Sequence, residues 1–241
     1  MFSDNNIIID LNLASFDTRN VTNMKEMFKN SSIKHIYFSP SFDTKNVKNM
    51  EEMFANCPYL KNLDLSSFDK RNVTNMKSMF ANCSELEYLD LSSFDTRNVT
   101  NMERMFAENK YLKKLDLSSF DTRNVTNMKS MFDYCGNLKE LDLSNFDTKN
   151  VENMEALFRE NYELRNIIFS PSFITNKVTD MSHMFSYNQW TKLDLSSFEI
   201  NDNCKTMNMF GGCGIKEVKI KNNNKILYTL KEQTNAEIII K

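Results

Sequence analysis

The sequence predicts an elongated α/β solenoid, with a parallel β-sheet on one face and short helical or irregular segments on the other. Two observations carry this prediction: a unit of about 26 residues recurs with almost no spacer, and every copy carries the same apolar pattern. A fixed period of this length is typical of stacked-repeat proteins. The first phenylalanine of each copy recurs at intervals of 26 residues, then once of 27 and once of 25: Phe16, Phe42, Phe68, Phe94, Phe120, Phe146, Phe173 and Phe198.

Each copy opens with a predicted strand. In the copy that runs from Leu60 to Cys83, Leu63 and Leu65 flank the polar residue Asp64. This alternation is typical of a short strand with one buried face. Because every copy runs in the same direction, the strands are expected to stack in parallel, about 4.8 Å apart.

A second apolar pattern follows the strand. Within Val73–Phe80 the apolar residues are spaced by three, three and one, which predicts a short helical stretch with one buried face. Asn75 is the expected helix cap, and Asn23 with Glu26 has the spacing of a capping box.

Two copies and the C-terminal end depart from the pattern. Pro40 and Pro171 follow the strands of their copies and are expected to bend the chain out of the ladder. We expect one domain over residues 1–241, with eight units over 8–213 and a capping segment over 215–241, because terminal repeats must shield the core.

Composition excludes several classes of protein. The net charge is −2, from 30 basic and 32 acidic residues without a block of like charge, which disfavours nucleic-acid binding. No apolar run is long enough to span a membrane, so we expect no membrane insertion. The N-terminal residues do not have the pattern of a signal peptide, so the sequence leaves a cytoplasmic location open.

Four of the five cysteines occupy one position of the repeat. Each lies three residues after the second phenylalanine of its copy, where other copies have serine or asparagine. This exchange predicts a small, inward, hydrogen-bonding position with free thiols, because a crosslink would not alternate with asparagine. The position holds Ser31, Cys57, Cys83, Asn109, Cys135, Asn161, Asn188 and Cys213.

Residues that alternate with the buried leucines are expected to point outward on the sheet. They form two columns, and the earlier column varies most in chemistry between copies. Such variation suits a recognition surface, although drift on an unconstrained solvent face would look the same. The candidate binding residues are His35, Tyr37, Asn62, Asp64, Tyr88, Asp90, Lys114, Asp116, Glu140, Asp142, Lys192 and Asp194. A third outward column is expected to be serine, from Ser39 to Ser196.

The stacked aspartates of the later column have three interpretations. They are hydrated side chains bonded to the serine column, ligands for a cation such as Ca²⁺, or acceptors for a basic or carbohydrate partner. The acid–base pairs Asp69/Arg71, Asp95/Arg97 and Asp121/Arg123 predict a solvated network that holds adjacent copies in register.

The unit from Cys57 to Cys83 resembles the BspA-type bacterial leucine-rich repeat, above all in the stretch NLDLSSFDKRNVTNMKSMF. The resemblance covers about residues 8–220. It implies a leucine-rich-repeat solenoid in a surface-exposed or secreted bacterial protein that attaches to host proteins or other cells. It implies no catalytic residues.

We expect no enzyme. His35 and His183 stand alone, and the chain lacks a nucleophile–base pair at readable spacing and a glycine-rich phosphate loop. We therefore expect no cofactor and no metal, and a protein partner. Three hypotheses remain: a binding module, a structural spacer in a longer surface protein, and an intracellular partner-binding protein.

Overall fold

A computed structural model describes residues 2–39, 42–68 and 70–240. The chain winds into about eight stacked coils, with very little helix. The elements in chain order are β1 (Asp10–Asn12), β2 (His35–Tyr37), β3 (Tyr88–Leu89), β4 (Lys114–Leu115), β5 (Glu140–Leu143), β6 (Asn166–Phe169), β7 (Lys192–Leu195), β8 (Glu217–Ile220), α1 (Asn224–Gln233) and β9 (Glu237–Ile240). This solenoid with parallel strands confirms the predicted fold class.

The strands pair in parallel with the predicted register. Leu89 is the partner of Leu115, so equivalent leucines of successive copies are neighbours in the core. The pairing is nevertheless not continuous, which corrects the expectation of one sheet. The described residues form four separate sheets, β1–β2, β3–β4, β5–β6 and β7–β8–β9, and residues 61–65 carry no strand.

The predicted helical stretch is wrong, and tight turns stand in its place. Met79 N donates to Met76 O (3.2 Å) within the coil, whereas Phe80 N donates to Met105 O of the next coil (3.0 Å). This alternation requires a left-handed backbone at Ser78 (φ 52°). The apolar spacing could not distinguish a helix from these turns, because the turns direct inward the same side chains that one face of a helix would.

The predicted helix caps have another role. Asn75 Oδ1 accepts a hydrogen bond from Lys77 N (3.0 Å), which forms an Asx turn. Glu26 has a left-handed backbone (φ 57°), so it does not complete a capping box with Asn23. The cap asparagines instead belong to a parallel bridge ladder along the solenoid, which an aspartate and a lysine continue in the last two coils: Asn23, Asn49, Asn75, Asn101, Asn127, Asn153, Asp180 and Lys205.

The core consists of columns of identical side chains. Phe54 and Phe80 stack with centroids 5.7 Å apart and planes 2° apart, and Phe132 stacks on Phe158 in the same way at 5.8 Å. The methionine column from Met50 to Met181 is fully buried. Burying one such side chain stabilises the fold by about 1.5–3 kcal/mol.

Both ends of this core are covered. Phe2 stacks on Phe28 at 5.8 Å, and Phe2 N donates to Met27 O (2.9 Å). At the other end, α1 buries Leu230, and Gln233 accepts from Phe210 N (3.1 Å) and donates to Thr206 O (2.9 Å). The side chain of Gln233 therefore supplies hydrogen-bond partners to backbone groups of the last coil.

The two copies with a proline after the strand differ in what can be described. β6 ends at Phe169, and Pro171 lies in the turn that follows. Pro40 lies outside the described residues.

Among the helices of the described residues, none is long and apolar enough to cross a membrane.

Candidate functional site on the sheet face

The outward residues of the strands form one surface, here called the sheet face. The register places Tyr88 beside Lys114, and Glu140 beside Asn166. All twelve candidate residues lie on this face, and all are exposed except His35, which is half-buried. The structure therefore brings the two predicted columns together as neighbouring rows.

The repeated aspartates have a structural role. Asp116 Oδ1 accepts a hydrogen bond from Ser118 N (3.0 Å), which closes an Asx turn where the strand ends. The same bond forms in four further coils, at 2.8–2.9 Å: Asp64 with Ser66, Asp90 with Ser92, Asp142 with Ser144, and Asp194 with Ser196. The need to close this turn is sufficient to explain why each of these copies has an aspartate at this position.

The same hydrogen bonds lower the pKa of several aspartates in the row. The pKa of Asp64 lies below its usual range because Ser66 donates to the carboxylate, and the pKa of Asp90 is lowered by the backbone N–H of Ser92. Lowering the pKa of Asp64 and Asp90 widens the pH range over which these two carboxylates are charged. The described residues contain no group of three or more His, Cys, Asp or Glu side chains arranged to hold a metal ion.

Two coils lack this turn and correct the predicted serine column. Tyr37 and Ile168 replace the aspartate there, and the following Ser39 and Ser170 are buried instead of exposed. In the second of these coils Ser170 Oγ accepts from Ser172 N (2.9 Å). The turn has moved two residues along the chain, in keeping with the extra residue of that copy. It leaves Ile168 exposed on the sheet face.

The earlier column carries most of the chemical variety of the sheet face. His35 Nδ1 lies 2.7 Å from Asp10 Oδ1, and Lys192 Nζ lies 2.7 Å from Glu217 Oε2. Tyr88 is 61% exposed, and its ring centre lies 6.0 Å from Lys113 Nζ. Neighbouring coils thus offer different groups at equivalent positions of one backbone frame.

Two shallow depressions follow this column. One, of about 290 Å³, includes Lys114, Glu140 and Ile168 in its lining. The other, of about 600 Å³, is lined by Lys61, Asn62, Glu85, Glu87, Tyr88 and Tyr111. Sequence reasoning missed Tyr111 and the residues around it, because only the strand positions were considered. The sequence did contain an indication of this position: a second tyrosine, Tyr59, lies at the equivalent position two copies earlier and is also exposed.

The cysteine position lies in the core, as predicted. All five cysteines are free. Cys83 Sγ donates to Phe54 O (3.1 Å), and Asn109 donates to Phe80 O and Phe106 O, both at 2.8 Å. Burial raises the pKa of the Cys135 thiol to about 12, so this thiol stays protonated and unreactive at neutral pH.

The acid–base pairs of the turns do not join adjacent coils directly. Arg97 pairs with Asp95 (2.8 Å) and Arg123 pairs with Asp121 (2.6 Å), each within its own coil. The bond between coils is made by Asn124 Nδ2, which donates to Arg97 O (2.7 Å). The expected register network therefore uses asparagine amides, and Asp69 of the remaining pair lies outside the described residues.

Comparison with known proteins agrees with this repeat organisation. The model of the family described as "Mycoplasma protein of unknown function, DUF285" matches residues 1–114, 31–140 and 109–225. The chain belongs to this family. The overlapping matches have the pattern of one repeated unit, and the family description states no function for DUF285.

No curated protein matches the chain. Among solved structures, the chain is similar to one titled "Functional domain of InlJ from Listeria monocytogenes includes a cysteine ladder", with 14% identity and a TM-score of 0.23. The match covers 87% of this chain and 56% of the InlJ chain, so this DUF285 chain spans little more than half of that length. The fold is therefore assigned from the stacked coils of this structure and not from the similarity to InlJ.

Proposed function

We propose that this DUF285 protein is a non-enzymatic binding module that holds a protein partner on its sheet face. The observation that carries the proposal is the contrast between two neighbouring columns. The aspartate column repeats because it closes the turns, whereas the adjacent column varies from histidine to tyrosine, lysine and glutamate on the same frame. A rigid frame with varied side chains suits recognition across several coils.

The physical character of the face supports a protein partner. Tyr88 and Ile168 are exposed apolar groups among charged neighbours, and tyrosine is enriched at the centres of protein interfaces. The depressions beside them are shallow and lack a group of metal-binding side chains among the described residues. Such a surface fits an extended contact better than an enclosed substrate.

The finer expectations belong to the same proposal. We propose that the protein is exposed at a bacterial cell surface, as the resemblance to BspA-type repeats implies, and that its partner is a host or cell-surface protein. The alternative of a structural spacer is favoured by one observation: the most regular bonding between coils is the asparagine bridge ladder, which lies outside the strands of the sheet face. A spacer needs this ladder and not the sheet face.

The test compares variants of the sheet face and of α1 in a pull-down against host matrix proteins and against the cell's own extract. Tyr88→Ala with Lys114→Glu and Glu140→Lys changes the sheet face. Lys231→Glu with Glu232→Lys is the control, because both residues are exposed on α1, outside the strands of the sheet face. We expect the first set to abolish capture of a partner that the control set still captures.

A different result would favour the spacer. If the sheet-face variant captured every partner as the unchanged protein does, while deletion of two whole coils reduced attachment, the sheet face would not be the binding site. Circular dichroism of all variants checks that the coils remain folded.

A further inference from the structure

Six cationic side chains lie in line along the turns of the solenoid, although no run of basic residues occurs in the sequence. They occupy the same position in six consecutive coils, directly before an asparagine: Arg19, Lys45, Arg71, Arg97, Arg123 and Lys149. We call this row the cation ridge. Five intervals of about 4.8 Å make it roughly 24 Å long.

The cations project further into solvent than the carboxylates that pair with them. Their side chains are 50–69% exposed in the five coils with a described pair. In four of these coils the aspartate partner is only 22–28% exposed: Asp43, Asp95, Asp121 and Asp147. An incoming polymer therefore meets positive charge first.

The aspartates are held back by the backbone. Asp121 Oδ1 accepts from Arg123 N (3.2 Å), so the carboxylate closes an Asx turn as well as pairing with the guanidinium. The cation is not needed for this turn, because the donor is the backbone amide. The cationic side chain is therefore available to a second acceptor on its solvent side.

The backbone beneath the ridge is held in register from coil to coil. Asn98 Nδ2 donates to Arg71 O and Asn124 Nδ2 donates to Arg97 O, both at 2.7 Å. Cations fixed at a regular spacing on a rigid rod fit a linear polymer with regularly spaced anionic groups, because little order has to be imposed on binding.

The residues beside the ridge discriminate among anionic polymers. The ridge and the exposed column on its far side contain no aromatic residue on which a base could stack. That column is mostly threonine, as at Thr74, Thr100 and Thr126, whose hydroxyl groups donate to carbonyl oxygens of the preceding coil at 3.2–3.3 Å. The oxygen of each hydroxyl remains able to accept a hydrogen bond from a sugar hydroxyl. These features favour a sulfated polysaccharide over a single-stranded nucleic acid.

We propose that the cation ridge binds a linear sulfated polysaccharide, at a site separate from the sheet face. The sulfates pair with the solvent side of the guanidinium and ammonium groups, which keep their aspartates behind them. Binding of this kind releases counterions and weakens steeply with salt.

The test measures binding of size-fractionated heparin to the whole chain at several NaCl concentrations. Arg97→Gln with Arg123→Gln is expected to weaken binding about tenfold at low salt and to lower the slope of log K against log [NaCl] by about two. The matched control, Lys61→Gln with Lys139→Gln, removes two exposed lysines elsewhere and is expected to bind like the unchanged protein.

A second pair of substitutions is predicted to strengthen the binding of heparin. Asp95→Asn with Asp121→Asn keeps an oxygen for each Asx turn but removes the competing charge, so heparin should bind about threefold more tightly. A solely structural pair would not produce this gain. Thermal unfolding of each variant verifies that the coils are intact.

Three outcomes would overturn the proposal. The ridge is excluded if heparin does not bind at low salt, or if the lysine control loses as much affinity as the arginine variant. The polysaccharide is the wrong partner if a DNA duplex binds more tightly than heparin and depends on the same arginines.

Discussion

Lys70 occupies a position that is threonine in the neighbouring coils, and it is buried. The threonine joins two coils: Thr96 Oγ1 donates to Asp121 O (2.9 Å) and accepts from Asp121 N (2.8 Å). Lys70 instead extends its ammonium group to Leu65 O (2.6 Å) and lies 4.5 Å from the ring centre of Phe94. A buried ammonium costs desolvation free energy that a hydroxyl does not.

We predict that Lys70→Thr raises the free energy of unfolding by about 1 kcal/mol, because the two hydrogen bonds between coils are restored and the buried charge is removed. Urea unfolding measures the change. The reciprocal variant Thr96→Lys should destabilise the protein. If Lys70→Thr were instead the less stable protein, the hydrogen bonds from the ammonium group to Leu65 O and Ser93 Oγ, together with the contact with Phe94, would outweigh the desolvation cost.

Left-handed backbone conformations at residues other than glycine recur through the tight turns. Ser130 is one of them, with φ 54°, and its side chain is buried. This conformation costs an L-residue roughly 1–2 kcal/mol, whereas glycine adopts it freely.

We predict that Ser130→Gly stabilises the protein by about 0.5 kcal/mol, since relief of the left-handed strain exceeds the added entropy of the unfolded chain. Ser118→Gly is the control: Ser118 does not have a positive φ, so glycine there should destabilise by about 0.5–1 kcal/mol. Thermal unfolding of both variants compares them. Equal losses of stability in the two variants would mean that the left-handed conformation at Ser130 is not strained.

Within each coil, the second apolar pattern is the element that the sequence describes least well. Periodicity identifies Met76, Met79 and Phe80 as buried, but it does not distinguish a helical turn from two stacked turns. The distinguishing feature is the positive φ at Ser78 and Asn82, and neither residue is a glycine that would have marked it. The strands were predictable because alternation has few other structural interpretations.

The candidate site was predicted in position and not in chemistry. The outward columns follow from alternation alone, so residues such as Tyr88 lie where they were expected. One of the three interpretations of the aspartates, a bond to the serine column, agrees with the structure, but the sequence did not indicate that the donor at Asp116 is the backbone N of Ser118 or that the bond closes a turn. Tyr111 was missed because its segment lies before the strand, where the sequence pattern assigns no face.

The interior column of cysteine and asparagine bonds one coil to the next. Asn161 Oδ1 accepts from Cys135 N (3.0 Å) while Asn161 Nδ2 donates to Phe132 O (2.8 Å). A cysteine at this position supplies only the thiol donor, as Cys83 does to Phe54 O. Asparagine therefore satisfies more buried backbone groups than cysteine does.

We predict that Cys83→Asn stabilises the protein by about 1 kcal/mol, because the amide oxygen gains a bond from Cys57 N and the amide nitrogen keeps the bond to Phe54 O. Cys83→Val should destabilise by about 1–3 kcal/mol, since it leaves that buried carbonyl without its donor. Urea unfolding distinguishes the two. A valine variant as stable as the asparagine variant would show that packing alone governs the column.

Over the whole molecule, one outer row of charges repeats every second coil. Lys25 pairs with Glu51 (3.2 Å), Lys77 with Glu103 (3.0 Å) and Lys129 with Glu155 (2.6 Å). The core columns repeat every coil, so the two patterns differ in period. Any change in the number of coils therefore leaves the core matched, but it changes which charges are neighbours.

This difference in period leads to a prediction about deletions. Removing residues 94–119 joins Ser93 to Phe120 in the correct repeat phase, and the coils should remain folded because each contacts only its neighbours. It also places Lys77 beside Lys129. Removing two coils, residues 94–145, places Lys77 beside Glu155 and restores an opposite-charge pair.

We expect the loss of stability per coil to be about 1–4 kcal/mol for the longer deletion, and to be about 0.5–1 kcal/mol larger for the shorter one. Urea unfolding at low and high NaCl measures both, and salt should reduce the excess because it screens the repulsion between the lysines. Deletion of half a coil, residues 94–106, is the control that should unfold the protein, since it sets turn residues against strands. An excess that high salt left unchanged would attribute it to core packing at the new junction instead of to the alternating charges.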